Sequence, residues 1–350
     1  MAHGNSEPGA LQRVAVTGFG VIGKRVADAV RRQSDMELAG VADVFSDWRL
    51  AEVARQDLPF FAATEEAVPA IEAAGGALRG TLDDLFPNVD VVVDCTPKGV
   101  GAKNAARYRK AGVKFIVQGG EDHEVTGHSF VAEANYSDAF GRDATRVVSC
   151  NTTSIVRTLH SLRKAGLLAK ARGTLLRRAT DPWESHLGGI MNTLVPEPHI
   201  PSHQAPDART VIPDLDVVTM AIKVPETLAH VHFWVVGLTR EADRAEVLAA
   251  LMTSSRTVAI RTDQRLGAVN AVKELMLDLG RPHGNLYEVA LWEDLVEVTG
   301  LEAYYAYMVD NQAIVIPENI DAIRALCGVT ADPDESIRMT NESLGVGRIR

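Results

Sequence analysis

RVAVTGFGVIGKRVADAVRRQ, residues 13–33, is followed closely by ELAGVAD, residues 37–43. Arg13 to Thr17 reads as a short apolar strand. The glycines come at once, and a helical pattern then runs to about Gln33. Glu37 to Ala42 is a second strand, closed by Asp43. Strand, glycine turn, helix and strand make one βαβ unit. Within it Gly18, Gly20 and Gly23 take the GxGxxG spacing. Gly18 permits the tight turn, Gly20 lets the backbone approach a pyrophosphate, and Gly23 lets helix and strand pack closely. Free N–H groups at the helix start favour an anion there. A carboxylate at Asp43 suits both ribose hydroxyls of NAD and repels the 2′-phosphate of NADP. The expected cofactor is therefore NAD, with NADP as the second acceptor to be tested.

Outward from this unit the alternation continues. Thr64 to Ala74 reads as a helix, Val89 to Asp94 as a buried strand, Gly101 to Ala111 as a helix and Val113 to Val117 as a strand. Arg146 to Ser149 is a strand that ends at Cys150. Such alternation predicts a parallel sheet covered on both faces. After about residue 170 the pattern changes. The runs 173–178, 217–224, 228–237, 286–292, 295–298 and 302–308 are β-rich, 241–253 is helical, and Pro317 opens a helix over 318–326. The Pro/His/Ser-containing stretch from Val195 to Pro213 is too long for a plain connector, and such loops are often functional. The fold class is α/β: a Rossmann-type parallel sheet with a second α+β catalytic domain containing a mainly antiparallel sheet. The expected division is a flexible tail over 1–10, an NAD-binding domain over 11–149, a catalytic and substrate domain over 150–316, and a C-terminal helix, 317–350, returning to the cofactor domain.

Composition narrows the function classes. A chain of 350 residues fits two domains. With 46% hydrophobic and 23% charged residues it is globular in composition, which excludes disordered and fibrous classes. The net charge of −10 and the lack of a basic arm argue against nucleic acid as a partner. No apolar run reaches about 18 residues, and the N-terminal residues lack a secretory apolar stretch, so a cytoplasmic protein without a membrane partner is expected. The three cysteines, Cys95, Cys150 and Cys327, are widely spaced without CxxC. Neither a disulfide framework nor a cysteine-ligated metal follows from them.

Cys150 sits in VVSCNTT, residues 147–153, where a strand ends and the helical pattern of 155–164 approaches. Unpaired N–H groups at such a junction stabilise a thiolate and an oxyanion on a bound carbonyl. A thiolate in a chain that binds a nicotinamide cofactor suggests aldehyde oxidation through a thiohemiacetal and a thioester. Cys95 and Cys327 read as buried structural cysteines. In LAHVHF, residues 228–233, His230 and His232 share one strand face, so both are candidates for a base beside the thiol. Arg177 and Arg178 form a basic pair suited to phosphate.

The segments GFGVIGKRVADAV, DCTPKGVGAKN, VQGGE, RVVSCNTT, RRATDP, TLVPEPHIPSH, HVHF, IVIPENIDAIRA and TNESLG run in order from about residue 11 to 345. Together they resemble the archaeal-type (type II) glyceraldehyde-3-phosphate dehydrogenases. The resemblance implies phosphorylating oxidation of glyceraldehyde 3-phosphate to 1,3-bisphosphoglycerate with NAD(P) and inorganic phosphate, in a homotetramer. It implies that Cys150 is the nucleophile and that His230 takes the thiol proton, leaving His232 structural. Ser149 and Asn151 become aldehyde contacts, and His203 a substrate contact. Gln204 stands where the family usually carries a second histidine. Arg178, Val21, Ile22 and Gly120 match cofactor-contacting positions, and Arg177 is left for the substrate phosphate. Asn311, in the segment DNQA at 310–313, occupies the position of a glutamine near the nicotinamide, with a shorter reach. Two other functions remain open at this level: a phosphorylating dehydrogenase of another aldehyde such as a semialdehyde, and a catalytically silent NAD-binding regulator.

Overall fold

The structure is a computed structural model describing residues 11–182, 194–347 and 349. The segment 1–10, expected to be a tail, and Thr193 lie outside the described residues. The chain divides into two compact units. The first takes residues through Ala132, then Tyr136–Val147 and Ile316–Leu344. The second takes Glu133–Asn135, Val148–Val315 and the residues from Gly345 onward.

The first unit is built on seven strands: β1 (Gln12–Thr17), β2 (Met36–Asp43), β3 (Phe60–Ala62), β4 (Val91–Asp94), β5 (Lys114–Gln118), β6 (Ser129–Phe130) and β7 (Ala144–Val147). Every pairing is parallel, in the order β3-β2-β1-β4-β5-β7-β6. Val91, Val92 and Val93 are wholly buried, as a central strand covered on both faces requires. The chain runs from β1 to β2 and β3 on one side, then returns to place β4 against the other edge of β1. That reversal opens a crevice at the C-terminal end of β1, where α/β sheets bind ligands. The helix Val21–Arg31 follows β1 directly. The helices Ile316–Cys327 and Pro333–Leu344 belong to this unit, and Arg324, buried between them, bonds Thr340 at 2.6 Å and Asp35 at 2.7 Å.

The second unit contains β8 (Leu168–Arg178), β9 (Val195–Pro196), β10 (Val217–Val224), β11 (His230–Leu238), β12 (Thr257–Ile260), β13 (Val289–Trp292), β14 (Glu297–Thr299) and β15 (Glu302–Val309). They form one mixed sheet in the order β12-β13-β15-β11-β8-β10-β9, with β14 on β15. The pairs β8–β10 and β12–β13 are parallel and the rest antiparallel. The helix Cys150–Lys164 is almost wholly buried, and its Arg157 donates to the carbonyls of Tyr287 and Ile314.

Local differences from the sequence pattern have physical causes. The helix expected over 64–74 is a 3-10 turn, Glu65–Ala67, followed by a short α-helix, Val68–Ala73. Pro69 lacks an N–H and so falls in the first α turn. The 150–164 helix begins five residues before its apolar periodicity, because Ser149 caps it. The stretch 195–213 is not structureless: it holds β9 and a helix, Gln204–Arg209. No helix among the described residues is long and apolar enough to cross a membrane.

Candidate active site

The predicted site residues fall into two clusters, one in each unit. In the first unit Gly18 adopts φ +86°, and a Cβ there would stand 2.7 Å from the Cys95 carbonyl carbon. A Cβ on Gly23 would meet the Gly18 oxygen at 1.9 Å, so helix and turn pack too closely for any side chain. Gly20 is different: nothing among the described residues lies within 4 Å of where its Cβ would be. This leaves open space over the start of the helix. Val21, Ile22 and Gly23 form the first turn, which has no acidic residue and no side-chain cap, and Lys24 N–H makes the first helical bond to Gly20 at 3.0 Å. Uncapped donors beside open space suit a pyrophosphate. Gly120 lies just beyond β5, and among the described residues only Lys98 comes within 4 Å of its Cβ position.

Asp43 ends β2. Its Oδ2 accepts from Phe19 N–H at 2.5 Å and its Oδ1 from Val44 N–H at 2.6 Å. The carboxylate thus braces the glycine turn, and each oxygen keeps a lone pair for a hydroxyl. Of the nearby cations, Arg25 is buried and donates to the Val21 carbonyl, while Arg49 is forked onto Asp47 and stacked over Phe45 at 4.4 Å. Lys24 lies over the Trp48 ring at 4.5 Å.

The second cluster centres on Cys150, the first residue of its helix. Ser149 is the N-cap. Its Oγ accepts from Thr152 N–H at 3.3 Å and lies 2.9 Å from Thr152 Oγ1. Because Thr152 Oγ1 gives its own proton to Asp207 at 2.6 Å, Ser149 Oγ donates to Thr152. Ser149 therefore holds the helix start in place. Replacing Ser149 by alanine is expected to lower stability by about 1 kcal/mol through loss of the cap. Urea unfolding of the two proteins measures this, and an unchanged midpoint would mean that the cap contributes nothing.

Cys150 Sγ lies 3.4 Å from His230 Nε2 and 3.9 Å from Asn151 Nδ2. Burial pushes the thiol up, against the pull of Arg178, the Asn151 N–H and Arg177. His230 Nδ1 accepts the backbone N–H of Arg178 at 3.0 Å. An amide N–H cannot accept, so the neutral ring carries its proton on Nε2, facing sulphur. Burial, then His232, Arg178 and Arg177, hold His230 well below the usual histidine range, which keeps the ring neutral. At rest, then, His230 offers Cys150 a donor. A ring awaiting the thiol proton would need a bare Nε2.

His232, read from sequence as structural, is wholly buried and bonded to the site. Its Nε2 lies 2.8 Å from Asn151 Oδ1, and its Nδ1 lies 3.0 Å from the hydroxyl of Tyr307. Tyr307 is its cross-strand partner in the β11–β15 pairing.

The other predicted residues gather around two carboxylates that sequence did not single out. Glu197 pairs with Arg177 through Oε1 and lies 3.1 Å from His203 Nδ1 through Oε2. Gln204, wholly buried, accepts from Ser202 Oγ at 2.7 Å, and its Nε2 meets His203 Nε2 at 3.1 Å. Gln204 thus fixes the His203 tautomer that donates to Glu197. Asp181 bonds Arg178 at 3.2 Å, Asn311 Nδ2 at 3.3 Å and Gln312 Nε2 at 3.0 Å. This bond takes the amide nitrogen of Asn311 and leaves its oxygen. That oxygen, Asn311 Oδ1, is buried without a partner among the described residues. Arg177 Nε and Arg178 Nε are likewise buried and unpaired. Each such atom calls for a partner, from water, an ion or a ligand.

A glycine cradle in one unit and a cysteine–histidine pair in the other define a pyridine-nucleotide dehydrogenase. Residues 149–276 match the family model for the glyceraldehyde 3-phosphate dehydrogenase C-terminal domain, and residues 12–126 match that for the N-terminus of dihydrodipicolinate reductase. The chain is 45% identical over 340 residues to the glyceraldehyde-3-phosphate dehydrogenase of Archaeoglobus fulgidus, covering 96% of this chain and 98% of that one. It is 44% identical over 334 residues to that of Thermococcus kodakarensis, covering 95% and 98%. With that of Halobacterium salinarum it shares 43% over 335 residues, covering 95% and 99%. The chain belongs to the glyceraldehyde-3-phosphate dehydrogenase family.

Proposed function

We propose that this protein oxidises glyceraldehyde 3-phosphate to 1,3-bisphosphoglycerate, consuming inorganic phosphate, with Cys150 as the nucleophile. The observation that carries it is the 3.4 Å approach of Cys150 Sγ to His230 Nε2 at the start of a capped helix. Loss of the thiol proton to solvent gives the thiolate, which is held by His230 Nε2–H, by the Asn151 amide and by the charge of Arg178 and Arg177. Attack on the aldehyde carbon moves the carbonyl electrons onto oxygen. His230 Nε2–H and Asn151 Nδ2 are the donors placed to hold that oxyanion. A nicotinamide held by Arg178 and Asn311 would supply the acceptor for the hydride that this carbon loses. The resulting thioester is cleaved by phosphate, which returns the thiolate.

The phosphate groups fall to Arg177 and His203. At rest the Glu197 carboxylate occupies Arg177, so an incoming phosphate takes over a position already shaped for an anion. Gln204 contributes a fixed hydrogen bond to His203 where a second histidine would contribute charge. Arg178 and Asn311 are assigned to the cofactor, with Asn311 Oδ1 as the acceptor for the carboxamide N–H. In the first unit Gly18, Gly20, Val21, Ile22, Gly23 and Gly120 line the dinucleotide, and Asp43 binds the adenosine ribose.

From Asp43 we propose a preference for NAD. Repulsion between the carboxylate and a 2′-phosphate, partly screened, amounts to about 1–3 kcal/mol, or roughly 5- to 150-fold. Arg49 is held by Asp47 and does not offset it. Wild type is expected to show the higher kcat/KM with NAD, and Asp43→Ser to gain on NADP relative to NAD. Wild type favouring NADP would remove the assignment.

A cytoplasmic homotetramer completes the proposal. On the outer sheet face Phe233 and Met220 flank Thr174 in register, 47% and 46% exposed, and Val235 lies beyond them. An apolar row of this kind is suited to covering by a second copy.

A further inference from the structure

We infer that His232 and Tyr307 are positioning residues: they fix which end of the Asn151 amide faces Cys150. The inference rests on the proposed role of Cys150 and extends it to a buried relay outside the predicted catalytic set. Four side chains make the relay, Tyr307, His232, Asn151 and Cys150, with Ser154 beside them. Tyr307, His232 and Ser154 are wholly buried, and Asn151 is 4% exposed. Burial holds His232 at about 3, so its ring is neutral and carries a single N–H.

The proton count leaves two polarities, and the shorter distance with the placed amide favours one. Ser154 Oγ gives its proton to the Asn151 backbone carbonyl at 2.8 Å and can only accept from Tyr307, 3.3 Å away. Tyr307 has one hydroxyl proton, and burial keeps it un-ionised by pushing the phenol up. The nearer acceptor is His232 Nδ1, at 3.0 Å. With Nδ1 accepting, the ring proton lies on Nε2, which donates to Asn151 Oδ1 at 2.8 Å. The amide is then held with Nδ2 toward Cys150 Sγ. In the opposite polarity the tyrosine would donate to Ser154 and His232 would carry its proton on Nδ1. A bare Nε2 would then face Asn151 Oδ1 across 2.8 Å, acceptor against acceptor. The amide would relax by flipping, presenting its oxygen to a thiolate and to the oxyanion formed from it. The hydroxyl of Tyr307, three side chains from sulphur, thereby selects the donor end of the amide.

A double-mutant cycle tests the relay. Asn151→Ala is expected to lower kcat roughly 10²-fold, as loss of an oxyanion donor does. Tyr307→Phe, nearly isosteric, is expected to lower kcat about ten-fold while KM for NAD stays unchanged, as loss of a supporting hydrogen bond does. In the Asn151→Ala background the Tyr307→Phe change should have no further effect on kcat, because it acts through an amide no longer present. His232→Gln can still donate to Asn151 Oδ1 and should keep more activity than His232→Ala. The glutamine and alanine comparison stands on its own if the phenylalanine variant folds poorly. Equal losses from Tyr307→Phe in both backgrounds, or full activity in Tyr307→Phe, would overturn the relay. Turnover surviving in Cys150→Ser would instead overturn the proposed role of Cys150, and the two failures read out separately.

Discussion

Replacing Cys150 by serine is expected to reduce dehydrogenase turnover roughly 10⁴-fold or more, the scale seen when a covalent nucleophile is lost. Serine keeps the volume and a hydrogen-bonding atom at the helix start, so the cap by Ser149 and the contact to His230 have no reason to fail. What it loses is acidity. Even with the thiol pushed up by burial, sulphur ionises far more readily than an alcohol, and His230, Arg178 and Arg177 are arranged to favour its anion. Cofactor binding should be largely kept, because the glycine cradle and Asp43 belong to the other unit and the change at sulphur leaves Arg178 and Asn311 in place. Steady-state turnover with NAD titration by fluorescence checks both halves. Substantial activity in the serine protein would show that no thioester forms.

His230→Ala is expected to slow oxidation about 10²–10³-fold, the usual effect of removing one donor from a developing oxyanion. The more informative substitution is His230→Gln. Arg178 N–H occupies Nδ1, so the ring meets sulphur with Nε2–H, and the low basicity imposed by burial makes it a poor proton acceptor. A glutamine amide donates a hydrogen bond but takes up no proton at neutral pH. If donation is the role, glutamine recovers at least part of the activity that alanine loses. If the ring must accept the thiol proton, glutamine and alanine are equally inactive. Pre-steady-state measurement of the first turnover, before product release, separates these outcomes.

The parts of this protein legible in its sequence are those with local causes. Gly18, Gly20 and Gly23 read as a cradle because each glycine has its own reason within one strand-turn-helix. Asp43 follows from its distance along the same unit. Val217–Val224 keeps its strand limits because alternation and turn residues bound it on both sides. The limits of the Cys150 helix were not legible, since its first turn, CNTT, is polar and lacks periodicity. His232 reads as structural in the sequence because strand alternation puts it on the same face as His230 but does not name its neighbour. That neighbour, Tyr307, is 75 residues away and arrives through the β11–β15 register. Glu197 and Asp181 carry no sequence signal for a related reason: an acidic residue in a loop reads as solvated until the fold brings an arginine against it. Long-range pairing, not residue chemistry, is what a single sequence leaves out.

The thioester itself is the most direct object of measurement. The enzyme is mixed rapidly with glyceraldehyde 3-phosphate and NAD, with inorganic phosphate omitted, and NADH is followed by absorbance while the chain is quenched for mass spectrometry. The result expected is a burst approaching about one NADH per chain, a phosphoglyceroyl adduct on the peptide carrying Cys150, and resumed turnover when phosphate is added. Sustained turnover without phosphate, or a burst with no adduct on Cys150, would contradict it.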